Sequence, residues 1–210
     1  TAGSGSFTIT GLQGNLSNTA SGGVSVTLVE NTDGLYTVTS TTAITVVNGT
    51  AGSGDTITLA GSGAKTVTGL VADLSLSATN TGTTSVTTST TGLTITANVA
   101  AGNLTVDAAS LLDDAALTLT GGANGKTATV NNLVGDLVAT GLSSALTVDL
   151  ADASDDDISI TTGSYTTTIN DSASGDTVTV DASALADNVL LSTAGSGSFT
   201  ITGLQGNLSN

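Results

Sequence analysis

The side chains with most chemical scope in this 210-residue chain are its carboxylates. Seventeen acids stand against two lysines, Lys65 and Lys126, giving a formal net charge of −15. Four acids precede residue 101 and thirteen fall between Asp107 and Asp187. The densest run is Asp149, Asp152, Asp155, Asp156 and Asp157, and Asp176 follows at a Gly-Asp turn. Closely spaced carboxylates beside carbonyl-rich turns suit Ca²⁺, a hard ion that takes six to eight oxygens. These six residues are the candidate metal ligands. Asp also favours turns by bonding to its own backbone, so a solvated acidic loop is the competing reading. A carboxylate pair is sufficient for glycoside hydrolysis. Against that chemistry, the chain has no Arg, His or Trp, and only Tyr36 and Tyr165 to stack on a sugar ring.

Absences narrow the function further. No His and no Cys excludes zinc-finger, cysteine-protease, Ser-His-Asp and haem-ligating chemistry. Two lysines cannot neutralise a phosphate backbone, so nucleic acid is excluded as a partner. No cofactor is required by any motif, and no apolar run is long enough for a transmembrane helix. Lys65 and Lys126 each open a strand-like segment, and both are expected at the surface, blunting an edge or pairing with an Asp.

The elements that carry these residues are strands. Thr occupies 43 positions, Gly 27, and aromatic residues only 2%. Thr or Ser alternates with Val, Ile or Leu in Val24-Ser25-Val26-Thr27-Leu28, Thr56-Ile57-Thr58-Leu59, Leu93-Thr94-Ile95-Thr96 and Thr177-Val178-Thr179-Val180. That period of two places one face in water and one in a core. The segments recur roughly every 9 to 12 residues, so two strands make a coil of about 20 residues. Thin stacked layers of Val, Ile, Leu and Ala need no large core residue. The expected fold is all-β, a β-solenoid of the parallel β-helix kind. Asp107 to Ala116 is the one stretch with scope for a short turn of helix.

Two scales of repetition support this. Residues 1–18 and 193–210 are the same eighteen residues, TAGSGSFTITGLQGNLSN. Residues 1–192 therefore read as one tandem unit, with 193–210 the start of the next identical unit. Within the unit, Gly11-Leu12-Gln13-Gly14-Asn15-Leu16 aligns with Gly69-Leu70-Val71-Ala72-Asp73-Leu74 and with Asn132-Leu133-Val134-Gly135-Asp136-Leu137. This divides it into three degenerate subrepeats, about 1–58, 59–121 and 122–192.

Segments such as Ala51-Gly52-Ser53-Gly54-Asp55-Thr56-Ile57-Thr58-Leu59 and Ser174-Gly175-Asp176-Thr177-Val178-Thr179-Val180 give the chain a resemblance to a known class. It resembles the giant bacterial extracellular tandem-repeat β-solenoid proteins, adhesin-like and haemolysin-type surface or filament proteins. In both segments Gly and Asp are adjacent, without the intervening residue of the β-roll calcium nonapeptide. The resemblance implies an extracellular or cell-surface location and a structural, non-catalytic role. The expected function is a repeat of a secreted filament, surface fibre or extracellular matrix protein, associating end to end with identical units. The alternatives are the stalk of a large adhesin, with contact to a cell surface or polysaccharide, and a Thr-rich ice-binding solenoid. Thr-x-Thr recurs from Thr8/Thr10 to Thr177/Thr179, but at irregular intervals that leave a continuous ladder open.

Overall fold

The computed structural model describes residues 3–151, 157–172 and 177–210, and among these it contains strands, turns and bends but no helix. The strands in chain order are β1 (Phe7–Leu12), β2 (Leu16–Asn18), β3 (Val24–Leu28), β4 (Leu35–Ser40), β5 (Ile44–Val47), β6 (Thr56–Ala60) and β7 (Lys65–Leu70). They continue with β8 (Asp73–Leu76), β9 (Thr84–Thr88), β10 (Leu93–Ala97), β11 (Leu104–Asp107), β12 (Ala116–Gly121), β13 (Thr127–Leu133) and β14 (Asp136–Val138). The last seven are β15 (Ala145–Leu150), β16 (Asp157–Thr161), β17 (Thr167–Asp171), β18 (Thr177–Asp181), β19 (Leu190–Gly195), β20 (Ser198–Thr202) and β21 (Asn207–Ser209).

Odd-numbered strands form one eleven-stranded sheet and even-numbered strands a ten-stranded one. The pairings are parallel. Parallel neighbours need a crossover, and here the strand in the opposite sheet is that crossover. The chain is a β-solenoid. Coil length varies: Phe7 pairs with Val24 and Leu104 with Ala128, offsets of 17 and 24 residues.

Alternation sets the packing. Val24, Val26 and Leu28 of β3 are buried while Ser25 and Thr27 face outward. Register then stacks like on like: Val26, Val46, Val67, Val86, Val106, Val130 and Val148 form one column through the odd sheet. All seven are buried, each side chain stabilising by roughly 1.5–2 kcal/mol. Opposite them, Leu93, Leu117, Leu137, Ile160, Val180 and Ile201 align in the even sheet. Tyr36 is the one aromatic residue in the fully buried core.

The helical turn expected between Asp107 and Ala116 is absent. β11 ends at Asp107, turns follow, and β12 begins at Ala116. Ala108 and Leu111 are buried and Leu112 is exposed, so two side chains anchor a loop that forms no helix.

A recurrent irregularity marks three strands. Register shifts occur between Ile9 and Leu12 in β1, Val67 and Leu70 in β7, and Val130 and Leu133 in β13. Gly11, Gly69 and Asn132 sit inside these shifts with φ of +73°, +64° and +54°. These strands are six apart, hence three coils apart. Gly203, which repeats Gly11, has φ +65° and follows β20, seven strands after β13.

Candidate functional site

Of the six carboxylates singled out as metal ligands, Asp152, Asp155, Asp156 and Asp176 lie outside the described residues. Asp149 and Asp157 are described, and they stand in opposite sheets. Asp149 belongs to β15, and Asp157 opens β16 with its side chain exposed. Asp149 Oδ1 accepts a 2.6 Å hydrogen bond from Asn170 Nδ2 on the next coil. Asn132 Nδ2 donates likewise to Asp107 Oδ1 at 3.1 Å. Register places Asp107 beside Asn131 and Asp149 beside Asn170 on the outer face of the odd sheet. Carboxylates here alternate with amides from stacked coils, which spaces their charges. Among the described residues no three acidic side chains converge as a metal site would require.

Lys65 departs from the surface position expected of it. It is 1% exposed, and its Nζ donates to the carbonyls of Gly63 at 2.5 Å, Gly61 at 3.0 Å and Ser40 at 3.1 Å. Three carbonyls match the three hydrogens of an ammonium. Burial pushes its pKa down to about 8, because the charged form loses its hydration. The alternation of Lys65-Thr66-Val67-Thr68 contained the signal, since Lys65 shares the parity of buried Val67. Lys126 is not its structural counterpart. The Lys65 column runs through Thr84 and Leu104 to Ala128. Lys126 precedes β13 and is partly exposed.

Polar groups continue away from Lys65 along this corner. Asn18 Nδ2 donates to Ser40 Oγ at 2.8 Å and Thr42 Oγ1 at 3.1 Å, and Thr42 Oγ1 donates to the Ala20 carbonyl at 2.8 Å. A second buried polar contact joins Tyr36 and Asp55. Tyr36 Oη donates to the Val29 carbonyl at 2.6 Å and lies 3.4 Å from Asp55 Oδ2, which accepts from the Gly52 N–H at 2.8 Å. Burial, followed by the Asp55 and Glu30 charges, raises the Tyr36 pKa above its ordinary value. Both sets of contacts hold corners together.

Register also resolves the Thr-x-Thr pattern. Thr8, Ser25, Thr45, Thr66, Ser85, Thr105, Thr129, Thr147, Thr168, Ser192 and Ser209 form one unbroken hydroxyl column on the odd sheet. The column two residues along is mixed: Thr27 pairs with Val47, Thr87 with Asp107, and Asp149 with Asn170. Irregular spacing in sequence is thus compatible with a regular column in space, because loops absorb the differences.

The chain matches no family model, no curated protein and no solved structure. Among the described residues no helix is long and apolar enough to cross a membrane.

Proposed function

We propose that this chain is a structural repeat of a secreted bacterial filament, surface fibre or extracellular matrix protein, working mechanically and without catalysis. The supporting observation is the continuous two-sheet core, within which residues 1–18 recur identically as residues 193–210. A solenoid whose sequence recurs in this way is suited to a tandem array, since each coil contacts only its neighbours. An extracellular location accords with the absence of Cys, with the charge of −15 and with the class the sequence resembles. The test is electron microscopy and fibre diffraction of the native assembly. Long uniform fibres with an axial repeat near 4.8 Å are expected. One finite rod per molecule overturns the filament reading in favour of an adhesin stalk.

The hydroxyl column favours a second reading, a Thr-rich ice-binding solenoid. Against it, a second column of Thr is interrupted by Val47, Asp107 and Asp149. Thermal hysteresis with faceted ice growth would establish that activity, and its absence at millimolar protein would dismiss it.

A further inference from the structure

Charge is divided between the two edges of the solenoid. The eight corners that carry the chain from the even sheet to the odd one, from residues 19–23 to 162–166, contain no Asp or Glu. Glu30, Asp33, Asp55, Asp113 and Asp114 stand in corners of the opposite edge. Both lysines belong to the acid-free edge: Lys65 opens β7 after the corner 61–64, and Lys126 closes the corner 122–126. Lys65 is committed to three carbonyls. Among the described residues the Lys126 ammonium has neither an ion pair nor a hydrogen bond. In a chain of net charge −15, this is where an anion meets least repulsion.

Lys126 also lines a slot that reaches the core, walled by Ile95, Leu104, Leu119 and Leu142 with Ala128 among them. Register explains the slot. The column of side chains through Lys65, Thr84, Leu104, Ala128 and Leu146 is narrowest at Ala128. A methyl group there leaves open the space that leucine fills one coil before and one coil after. The free volume is about 10 Å³, room for a single water-sized or methyl-sized group. Ser144 supplies a polar wall. It is 4% exposed, lines the same slot, and its hydroxyl has no hydrogen-bond partner among the described residues. Gly122 keeps that hydroxyl clear, since a Cβ added there would stand 3.0 Å from Ser144 Oγ.

We propose that this slot binds a small aliphatic carboxylate of acetate or propionate size. The methyl end enters against Leu104 and Leu119, and the carboxylate accepts a hydrogen bond from Ser144 Oγ. Lys126 Nζ neutralises the carboxylate at the mouth, giving a charge-assisted contact of the stronger kind. A cation is repelled by Lys126, and a neutral solute leaves that charge unpaired. The small free volume limits the tail, so longer acids fit only by parting two coils. So few non-hydrogen atoms bind weakly, with a Kd on the order of 1 mM. The side chain of Asp ends in the same carboxymethyl group, so the acidic edge of a second copy is the other source of this chemistry.

The full chain is titrated with acetate, propionate, butyrate and hexanoate at constant ionic strength, with the amide NMR shifts of Lys126 and Ser144 as the readout. Saturable binding of acetate and propionate, at least tenfold weaker for hexanoate, is expected. Lys126→Gln and Ala128→Leu should each weaken propionate binding tenfold or more. Ala128→Leu restores the leucine of the neighbouring coils, and its melting temperature checks the fold. Ser144→Val fills the slot from the other wall and replaces that variant if it melts early. Affinity that rises steadily with tail length overturns the slot. So does binding that survives both filled variants while Lys126→Gln removes it, since a surface lysine alone then holds the anion. Shifts still linear at about 100 mM ligand overturn the site outright. Self-association by light scattering that acetate dissolves and Lys126→Gln abolishes assigns the slot to an aspartate of a second copy and overturns the free carboxylate.

Discussion

Lys65 Nζ lies 3.1 Å from the carbonyl oxygen of Ser40, a residue 25 positions earlier at the corner of the preceding coil. The other two carbonyls, Gly61 and Gly63, belong to the corner that leads into β7. One ammonium thereby ties two successive corners together inside the buried stack. The contact stabilises only while the carbonyls compensate the lost hydration, so it is the place where substitution and pH should register first.

Lys65→Ala is expected to destabilise by about 2–4 kcal/mol, since it leaves buried carbonyls with fewer donors and opens a cavity. Lys65→Met fills the volume without the charge and should fall between the two. Urea denaturation followed by circular dichroism gives both values. An exposed lysine in that position would show almost no change in either variant.

The pH dependence follows from the lowered pKa. The folded value of about 8 lies below the unfolded value of 10.5. Between these limits the unfolded chain holds the extra proton, so stability rises as pH increases from about 8 toward 10.5. Tyr36 acts in the opposite direction higher up. Its raised folded pKa means that stability falls as pH passes the unfolded value of 10.0. A denaturation midpoint that climbs from pH 8 and turns over above pH 10 is expected. Lys65→Met should flatten the climb, and Tyr36→Phe the fall.

Tyr36→Phe also removes the 2.6 Å bond to the Val29 carbonyl. The loss expected at neutral pH is about 1–2 kcal/mol, with the β-sheet spectrum unchanged. Equilibrium denaturation at pH 7 measures it.

Two glycines with positive φ should respond unequally to Ala. At Gly49, φ is +63° and a Cβ would stand 1.8 Å from the Leu28 carbonyl oxygen. At Gly125, φ is +81° with nothing within 4 Å. Gly125→Ala is expected to cost about 1–2 kcal/mol, the left-handed conformation alone. Gly49→Ala should cost more than that, because two stacked coils must separate. Thermal melts of the two variants side by side test the ranking.

A net charge of −15 on 210 residues opposes compaction. Melting temperature is expected to rise by several degrees between 10 mM and 300 mM NaCl. Ca²⁺ at matched ionic strength separates screening from ligation at the run from Asp149 to Asp157. A further rise that chelator reverses supports bound calcium, and coincident curves remove it.

Much of this molecule was written locally. Alternation such as Val24-Ser25-Val26-Thr27-Leu28 fixes which side chains face inward, because successive residues of a strand point to opposite faces. The same local rule put Lys65 on the inner face, and only its charge argued for the surface. What binds a buried ammonium is a set of carbonyls from Ser40, Gly61 and Gly63, and backbone oxygens leave no mark in a sequence. The candidate ligands Asp149 and Asp157, eight positions apart in one acidic run, stand in opposite sheets.

The sequence by itself determined the strands, their buried faces, the approximate coil and the identity of the two ends. Tertiary structure alone decided which strand lies on which. Coil offsets range from 16 to 24 residues as corners lengthen and shorten, so no fixed period predicts the stacking. Irregular Thr-x-Thr intervals became a straight hydroxyl column by that route, and eighteen identical residues came to lie on opposite sheets. The physical reason is range: facing is set by bonds between neighbours in the chain, whereas stacking is set by hydrogen bonds between residues about 20 apart, whose register each corner is free to reset.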